Sequence, residues 1–289
     1  MPAPTGDRSK LARELWLRVE TLHAVTYFGP ETQAAAADVG LDRFWVSYFA
    51  LRAAPLGPVG PGPVEATFAN FAPAFVRRWV PACWDLTTCD AARSARARGA
   101  ASTLRAAATG IEAAATATAD HLDRAIAAAD PMARPLFAAN RDLALPDDPV
   151  AALWQRCTTL REHRGDGHVA ALAAAGLTGL EAHVLIAAER GTDPGDLQRT
   201  RGWTAADWDA ATGSLAERGL VEAGSLTSAG RAVRADVEAT TDRLASTPLA
   251  AWSDDEAADV LAALDPAARA VSAASIIRYP NPIGLPPLA

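Results

Sequence analysis

Residues 15–22 read LWLRVETL and residues 153–160 read LWQRCTTL, so one short pattern occurs twice in this chain of 289 residues. The two stretches agree at five of eight positions, and tryptophan is among the shared residues. Each is followed by an alanine-rich segment that ends in Gly-Leu, at 40–41 and at 176–177. Self-similarity at a spacing of about half the chain indicates a duplicated unit. Since two like units can pack around a twofold axis as a homodimer does, we expect an intrachain pseudo-dimer.

Apolar residues recur at helical spacing along most of the chain, which predicts a mainly α-helical fold. Residues 9–24 form a strongly amphipathic helix in this interpretation. The run PLGPVGPGPV at 55–64 is expected to be a loop or lid, because proline lacks the N–H that a helix or inner strand needs. A long alanine-rich helix is expected from about 88 to 118 and a short one at 119–129. The proline-punctuated segment 130–149 is the predicted connection between the copies.

These elements divide the chain into three parts. Residues 9–145 are expected to form the first, degenerate repeat and residues 146–270 the second. Residues 271–289 are rich in proline yet apolar, which indicates an extended tail that lies along the body and covers the crevice between the repeats.

Composition restricts the class of protein. The net charge is −7, half of the residues are hydrophobic, and no apolar run reaches the eighteen residues that a membrane span needs. We therefore expect a cytoplasmic protein with no membrane partner, either a monomer or a homodimer. The odd number of cysteines, Cys83, Cys89 and Cys157, favours reduced thiols.

The second half carries a more specific pattern. LTGLEAHVLIAAERG (177–191) has Glu181 three residues after Thr178, which is the capping-box signature of a helix start. LAERGLVE (215–222) and SLTSAGR (225–231) follow. This order resembles the winged-helix domain of the MarR-type regulators. The resemblance implies three helices, a wing whose return strand is SLTSAGR, and a long terminal helix. Combined with the duplication, it predicts two fused winged-helix-like repeats with small β-wings.

Three further stretches together resemble an actinobacterial family that is described only as helix-turn-helix proteins. They are HAVTYF (23–28), REHRGDGH (161–168) and YPNPIGLP (279–286), and the resemblance spans nearly the whole chain. It implies a shape and no particular activity.

Charge disfavours DNA as a partner. In a working winged helix the third helix enters the major groove and needs basic or polar side chains. Here that helix begins TAADWDA and carries Asp207 and Asp209 in its opening turns. Residues 178–247 contain eleven acidic residues and seven arginines, a balance that repels phosphate. Arg199 and Arg201 remain candidate phosphate contacts, so a ligand-responsive, DNA-binding regulator stays the alternative function.

The crevice between the repeats is the predicted site for a small organic ligand. RGDG at 164–167 is interpreted as a loop in which His163 ends one helix, Asp166 lies between two glycines, and His168 opens the next helix. The duplication places His23 and Tyr27 opposite these residues. Arg161 is the expected contact for an anionic group. Trp203 lines either the core or the crevice.

Three chemistries fit this set and stay open. Asp166 can orient a histidine, His163 or His168, as a general base, with Tyr27 or His23 as the acid. The histidines with Asp166 can instead hold a transition metal, or one histidine can ligate haem iron. The spacing selects no cofactor or metal. The alternative is structural: Asp166 caps a helix, the arginines pair with acids, and the histidines are hydrogen-bonded interface residues. The sequence therefore favours a metabolite-binding protein that has lost DNA reading and leaves enzymatic activity open.

Overall fold

A computed structural model describes residues 8–191, 193–281 and 284–288, and this part of the chain is mainly helical. It contains fourteen α-helices and one hairpin of two short strands. The helices of the first half are α1 (Ser9–Phe28), α2 (Pro30–Ala37), α3 (Phe44–Ala53), α4 (Pro61–Thr67), α5 (Pro73–Trp79), α6 (Cys89–Ala107), α7 (Ile111–Ala128) and α8 (Pro135–Arg141). The second half contains α9 (Pro149–Ala174), α10 (Gly179–Arg190), α11 (Pro194–Arg201), α12 (Ala205–Glu217), β1 (Val221–Glu222), β2 (Ser225–Leu226), α13 (Ser228–Ser246) and α14 (Asp254–Ala273).

Helix α9 is the longest element and lies at the centre of the fold. It begins at Pro149, and the missing N–H of this proline costs nothing because the first N–H of a helix has no partner within the helix. The Asp148 carboxylate accepts hydrogen bonds from two of the free N–H groups of the first turn. Helix α1 packs along it. Both of the repeated stretches, 15–22 and 153–160, contribute to one central core together with α6, α7 and α14.

The predicted loop at 164–167 is wrong, because α9 runs through it without a break. Two glycines cost a helix about 2 kcal/mol relative to alanine, so the helix needs support from tertiary contacts here. Arg134 gives that support, since its guanidinium donates to the His163 carbonyl oxygen on α9. A Cβ atom on Gly167 would lie 2.7 Å from Arg134 Nη1. Glycine is therefore present for close approach and not for a turn.

Two predicted elements of the first half also differ. The run 55–64 is not one loop, because Pro61 and Pro63 occupy the first turn of α4, where missing N–H groups leave no bond unmade. The expected helix over 88–118 is two helices, α6 and α7, separated at Gly110, whose φ of 86° is left-handed. The short helix expected at 119–129 is the second part of α7.

The second half contains three short helices, a hairpin and a long helix, packed around a separate small core. The expected capping box of Thr178 and Glu181 is present. The return strand is only Ser225–Leu226 and not 225–231, because Thr227 caps α13 and its hydroxyl accepts from the Gly230 N–H. Residues 8–145 contain no hairpin, so a wing in each repeat is wrong. The duplication itself stays a prediction.

A third core lies under α2 to α5 and contains Phe49, Phe68 and Phe71. The tail packs against the central core through Ile277 and Leu285. Within the described residues no single helix is long and apolar enough to cross a bilayer; α9 and α10 reach that apolarity only as a pair bent by 93°.

Candidate functional site

An open groove lies between α1, α9, α10, α13 and the tail, with a volume of about 580 Å³. Five arginines line it, against two glutamates and one histidine. The cationic residues are Arg13, Arg161, Arg164, Arg190 and Arg234, and we call this surface the arginine groove. Its residues come from both halves of the chain, because α1 packs on α9 and α13 packs on both.

Most of these arginines are held by ion pairs within the groove wall. Arg13 Nη2 lies 2.6 Å from Glu238 and 2.8 Å from Asp242, and Arg164 lies 2.9 Å from the other oxygen of Asp242. Arg161 Nε lies 3.1 Å from Glu20. These ion pairs fix the guanidinium groups in place. Binding of an anion therefore costs less side-chain conformational entropy.

Arg190 differs from the other four arginines. It is exposed, and its Nη2 has one long contact of 3.5 Å, to the carbonyl oxygen of Gly284 in the tail. Among the described residues it has no carboxylate partner within ion-pair distance. A guanidinium without a partner can bind a carboxylate or phosphate through two parallel hydrogen bonds.

Trp16 forms the apolar floor of the groove. The Arg164 guanidinium lies over its ring at 4.8 Å from the centroid, and the Arg13 guanidinium lies at 5.5 Å. The indole N–H donates to Glu20 at 3.1 Å. The groove therefore offers an aromatic surface beside fixed cations.

His168 lies in the groove on α9, half-buried. Its Nδ1 is 3.0 Å from the hydroxyl of Thr241 on α13. Burial lowers the pKa of this imidazole below its ordinary value, which keeps the ring neutral at neutral pH.

A fully buried polar network lies behind the groove wall. His23 Nδ1 is 2.9 Å from the Thr158 hydroxyl, and its Nε2 is 3.1 Å from the Tyr27 hydroxyl. Glu162 accepts two bonds from Arg52, at 3.0 and 3.1 Å. The cavity among these side chains has about 10 Å³, the space of one water molecule. No organic ligand fits there.

The charges of this network are fixed by burial and pairing. Burial would raise the pKa of Glu162, but the adjacent Arg161 and Arg52 outweigh it and hold that pKa well below its usual range. Burial, together with the charge of Arg161, lowers the pKa of His23 well below its ordinary value. Burial raises the pKa of Tyr27. The His23 imidazole and the Tyr27 hydroxyl therefore do not exchange a proton readily near neutral pH.

Asp166 and His163 do not form the expected pair. The Asp166 carboxylate accepts a hydrogen bond of 2.9 Å from the backbone N–H of Phe137, at the start of α8. It thus caps another helix, and among the described residues it has no hydrogen bond to a histidine, which corrects the predicted role. Burial, and then the charge of Glu162, raises its pKa to about 7.

His163 faces a small, mostly apolar cavity of about 20 Å³ beneath Trp16. Its ring packs edge-on against Phe137 at 4.9 Å, and its buried Nε2 has no hydrogen-bond partner among the described residues. Burial, and then the charge of Arg134, lowers its pKa to about 3. This histidine is neutral and lies outside the groove.

The structure thus divides the predicted residues. It places Arg161 and His168 in one groove, with His23 and Tyr27 in the network behind it. Trp203 lies elsewhere, and its indole N–H donates to the Asn70 carbonyl oxygen at 3.0 Å. No group of three potential ligands among His, Cys, Asp and Glu could hold a metal ion in the described chain. Sequence reasoning missed Arg13, Arg190 and Arg234, which carry no motif.

The surface that would read DNA is poor in the required side chains. The exposed residues of α12 are Ala205, Ala206, Asp207, Asp209, Ala210, Gly213, Ala216 and Glu217. The hairpin turn exposes Glu222, Ala223, Gly224 and Ser225. Neither set includes an arginine, lysine, asparagine or glutamine.

The turn before α12 is covered by another part of the same chain, residues 69–75. The Arg201 carbonyl oxygen accepts from the Ala72 N–H at 2.9 Å. A Cβ on Gly202 would lie 2.3 Å from Phe75 Cβ. Arg201 itself is buried with its guanidinium over the Phe71 ring, so it is not free to contact phosphate. The other candidate contact, Arg199, is paired with Asp196.

Comparison with known protein families gives a match over most of the chain. A model described as a helix-turn-helix family covers residues 12–278. No curated protein matches the chain, and no solved structure matches it.

Proposed function

The chain belongs to a helix-turn-helix family, and from this premise we propose that it binds a small organic anion in the arginine groove and does not read DNA through α12. The observation that carries the proposal is the composition of the groove: five arginines, two glutamates and Trp16 around an open volume of about 580 Å³. That volume lies within the range of small-molecule sites.

The charge balance of the groove sets the ligand class. Its lining residues have three more cations than anions, although the whole chain carries a net charge of −7. Four of the five arginines are paired with carboxylates, among them Asp242 and Glu189 outside the lining, so the positive charge left to attract an anion is that of Arg190. Arg190 is the expected first contact, because among the described residues it has no carboxylate partner to displace. Trp16 and the apolar Leu17 and Ile186 would pack against the carbon skeleton of the ligand.

The same comparison of charges argues against DNA. Binding to phosphate requires cations that release counterions, and the exposed faces of α12 and the hairpin turn offer acidic residues instead. Binding, rather than catalysis, is the favoured activity, because Asp166 is used by α8 and the expected acid–base set is dispersed.

A thermal-shift screen with matched probe pairs tests the groove. We expect succinate, benzoate and glucose 6-phosphate to raise the unfolding midpoint more than succinamide, benzamide and glucose do. A ligand at one hundred times its Kd stabilises by about 2.7 kcal/mol, which corresponds to about 4 °C for a chain of this length. Equal shifts for charged and neutral members of every pair would contradict the proposal.

Two arginine variants localise the site. Arg190→Gln should weaken the binding of a responding anion in calorimetric titration by about tenfold, the effect of one charge-assisted hydrogen bond. Arg199→Gln is the matched control, since Arg199 is also exposed but lies on α11 outside the groove. The same loss in both variants would show that binding is not in the groove.

The second candidate is a transcription regulator, which family membership and the preserved order of three helices, hairpin and helix favour. A gel shift with DNA from the operon of the protein distinguishes the two. We expect no sequence-specific complex. A complex that survives excess nonspecific DNA and weakens steeply with salt would establish DNA reading.

A further inference from the structure

His168 is held in one tautomer by its neighbour on α13. The Thr241 hydroxyl donates its hydrogen to the carbonyl oxygen of Val237, one turn earlier in the same helix, at 2.7 Å. A hydroxyl has a single hydrogen, so at its 3.0 Å contact with His168 Nδ1 the Thr241 oxygen must accept. His168 therefore carries its hydrogen on Nδ1.

The other ring nitrogen is then a hydrogen-bond acceptor. A neutral imidazole with its hydrogen on Nδ1 has a lone pair on Nε2. Burial lowers the pKa of His168; Glu238 opposes that shift, while Arg164, Arg234 and Arg13 add to it. The one hydrogen bond of this ring within the described part of the chain is that of Nδ1.

Free acceptors are few among the polar groups of this groove. The arginines offer only donors, both oxygens of Glu20 are engaged with Trp16 and Arg161, and Glu238 Oε2 is engaged with Arg13. Among the described lining side chains, this leaves His168 Nε2 and Glu238 Oε1 as acceptors. A ligand that only accepts hydrogen bonds would leave Nε2 unmatched. A ligand that also donates one would satisfy both kinds of group.

We infer that the arginine groove selects organic anions that carry an O–H or N–H donor, with His168 Nε2 as the acceptor and Thr241 as the residue that positions it. This inference rests on the proposed binding of an anion in the groove, and it adds the chemical class of the ligand. Hydroxy acids and amide-bearing acids belong to this class; plain carboxylates do not.

Paired probes test the inference by calorimetric titration: lactate with propionate, malate with succinate, and mandelate with phenylacetate. We expect the hydroxy acid of at least one pair to bind about threefold to tenfold more tightly, the factor that one net hydrogen bond contributes. In His168→Phe that ratio should fall to about one.

Thr241 supplies a second, independent readout. Thr241→Val keeps the shape of the fully buried side chain but removes the acceptor for Nδ1–H, so the ratio should fall. Thr241→Ser should restore the ratio. Two-bond ¹H–¹⁵N correlations of the imidazole should show His168 protonated on Nδ1 in the unmodified protein and in Thr241→Ser, and a mixture of tautomers in Thr241→Val.

The outcomes separate the two proposals. If the members of every pair bind equally well, the donor requirement is wrong while the anion groove stands. If no acid of any pair binds, the groove proposal is wrong and the inference falls with it. A preference for hydroxy acids that survives His168→Phe would assign the acceptor to another residue and overturn the role of His168.

Discussion

The buried ion pair of Glu162 gives the most demanding test of the energetics. Glu162 is 1% exposed and lies between Arg52, which is 9% exposed, and Arg161, which is 13% exposed. Replacing the carboxylate by an amide, Glu162→Gln, preserves the shape and removes the charge that both guanidinium groups face. Arg161 keeps Glu20 as a partner, whereas Arg52 loses its only ion pair among the described residues.

The expected loss is about 3–5 kcal/mol, the cost of leaving a buried charge without its partner. At about 2.1 cal/mol/K of unfolding entropy per residue, this corresponds to about 5–8 °C in the midpoint of a single unfolding transition. Thermal and urea unfolding, followed by circular dichroism at pH 7, measure it. The matched control is Glu189→Gln, because Glu189 is also paired with an arginine, Arg234 at 2.8 Å, but is 41% exposed. The control should lose less than about 1 kcal/mol.

A double variant examines the cause of the loss. In Arg52→Met/Glu162→Leu both partners become apolar, so position 52 no longer carries a buried charge without a partner. We therefore expect the double variant to be more stable than Glu162→Gln.

The pH dependence of the stability is an independent check on the same ion pair. Because the folded pKa of Glu162 is depressed, its contribution is present above the unfolded pKa of about 4.3. It is lost as the pH falls further. The reasoning is refuted if Glu162→Gln is as mild as Glu189→Gln, or if the double variant is less stable than the single one.

Two further predictions concern His163 and a pair of glycines, Gly179 at the contact with residues 69–75 and Gly213 on the exposed side of α12. Since burial lowers the folded pKa of His163 to about 3, the unfolded chain takes up a proton first as the pH falls below about 6.5, which removes about 2 kcal/mol of stability at pH 5. His163→Phe should therefore show a smaller stability loss between pH 7 and pH 5 in urea titrations, and an unchanged loss would contradict the buried, neutral ring. Gly179→Ala should lower the unfolding midpoint, because its Cβ would lie 1.9 Å from the Ala69 carbonyl oxygen, whereas Gly213→Ala has open space and should stabilise α12 by about 0.5–1 kcal/mol. Similar shifts for the two glycine variants would show that residues 69–75 do not pack against α10 as described.

Local signals in the sequence predicted the parts of the fold that local physics controls. The helices and the capping box at Thr178 depend on residues three or four positions apart, so a single sequence is enough to find them. The position of the hairpin was implied by the resemblance to the winged-helix domain. The acidic character of α12 was likewise visible, because Asp207 and Asp209 stand in its opening turns in the sequence.

The errors occurred where a local signal was overruled by a distant contact. RGDG at 164–167 has the composition of a loop, yet Arg134 and α8 hold it in a helix. The prolines at 61 and 63 suit either a loop or a first helical turn, and only packing under α3 decided between them.

The sequence predicted the candidate site in part. The REHRGDGH stretch singled out two residues that line the groove, Arg161 and His168, but also Asp166 and His163, which face other neighbours. The sequence gives no signal for three other arginines of the groove, because no motif surrounds Arg13, Arg190 or Arg234. They become one cationic surface only because α1, α10 and α13 pack around α9, since long-range packing alone determines which side chains of distant segments share a cleft.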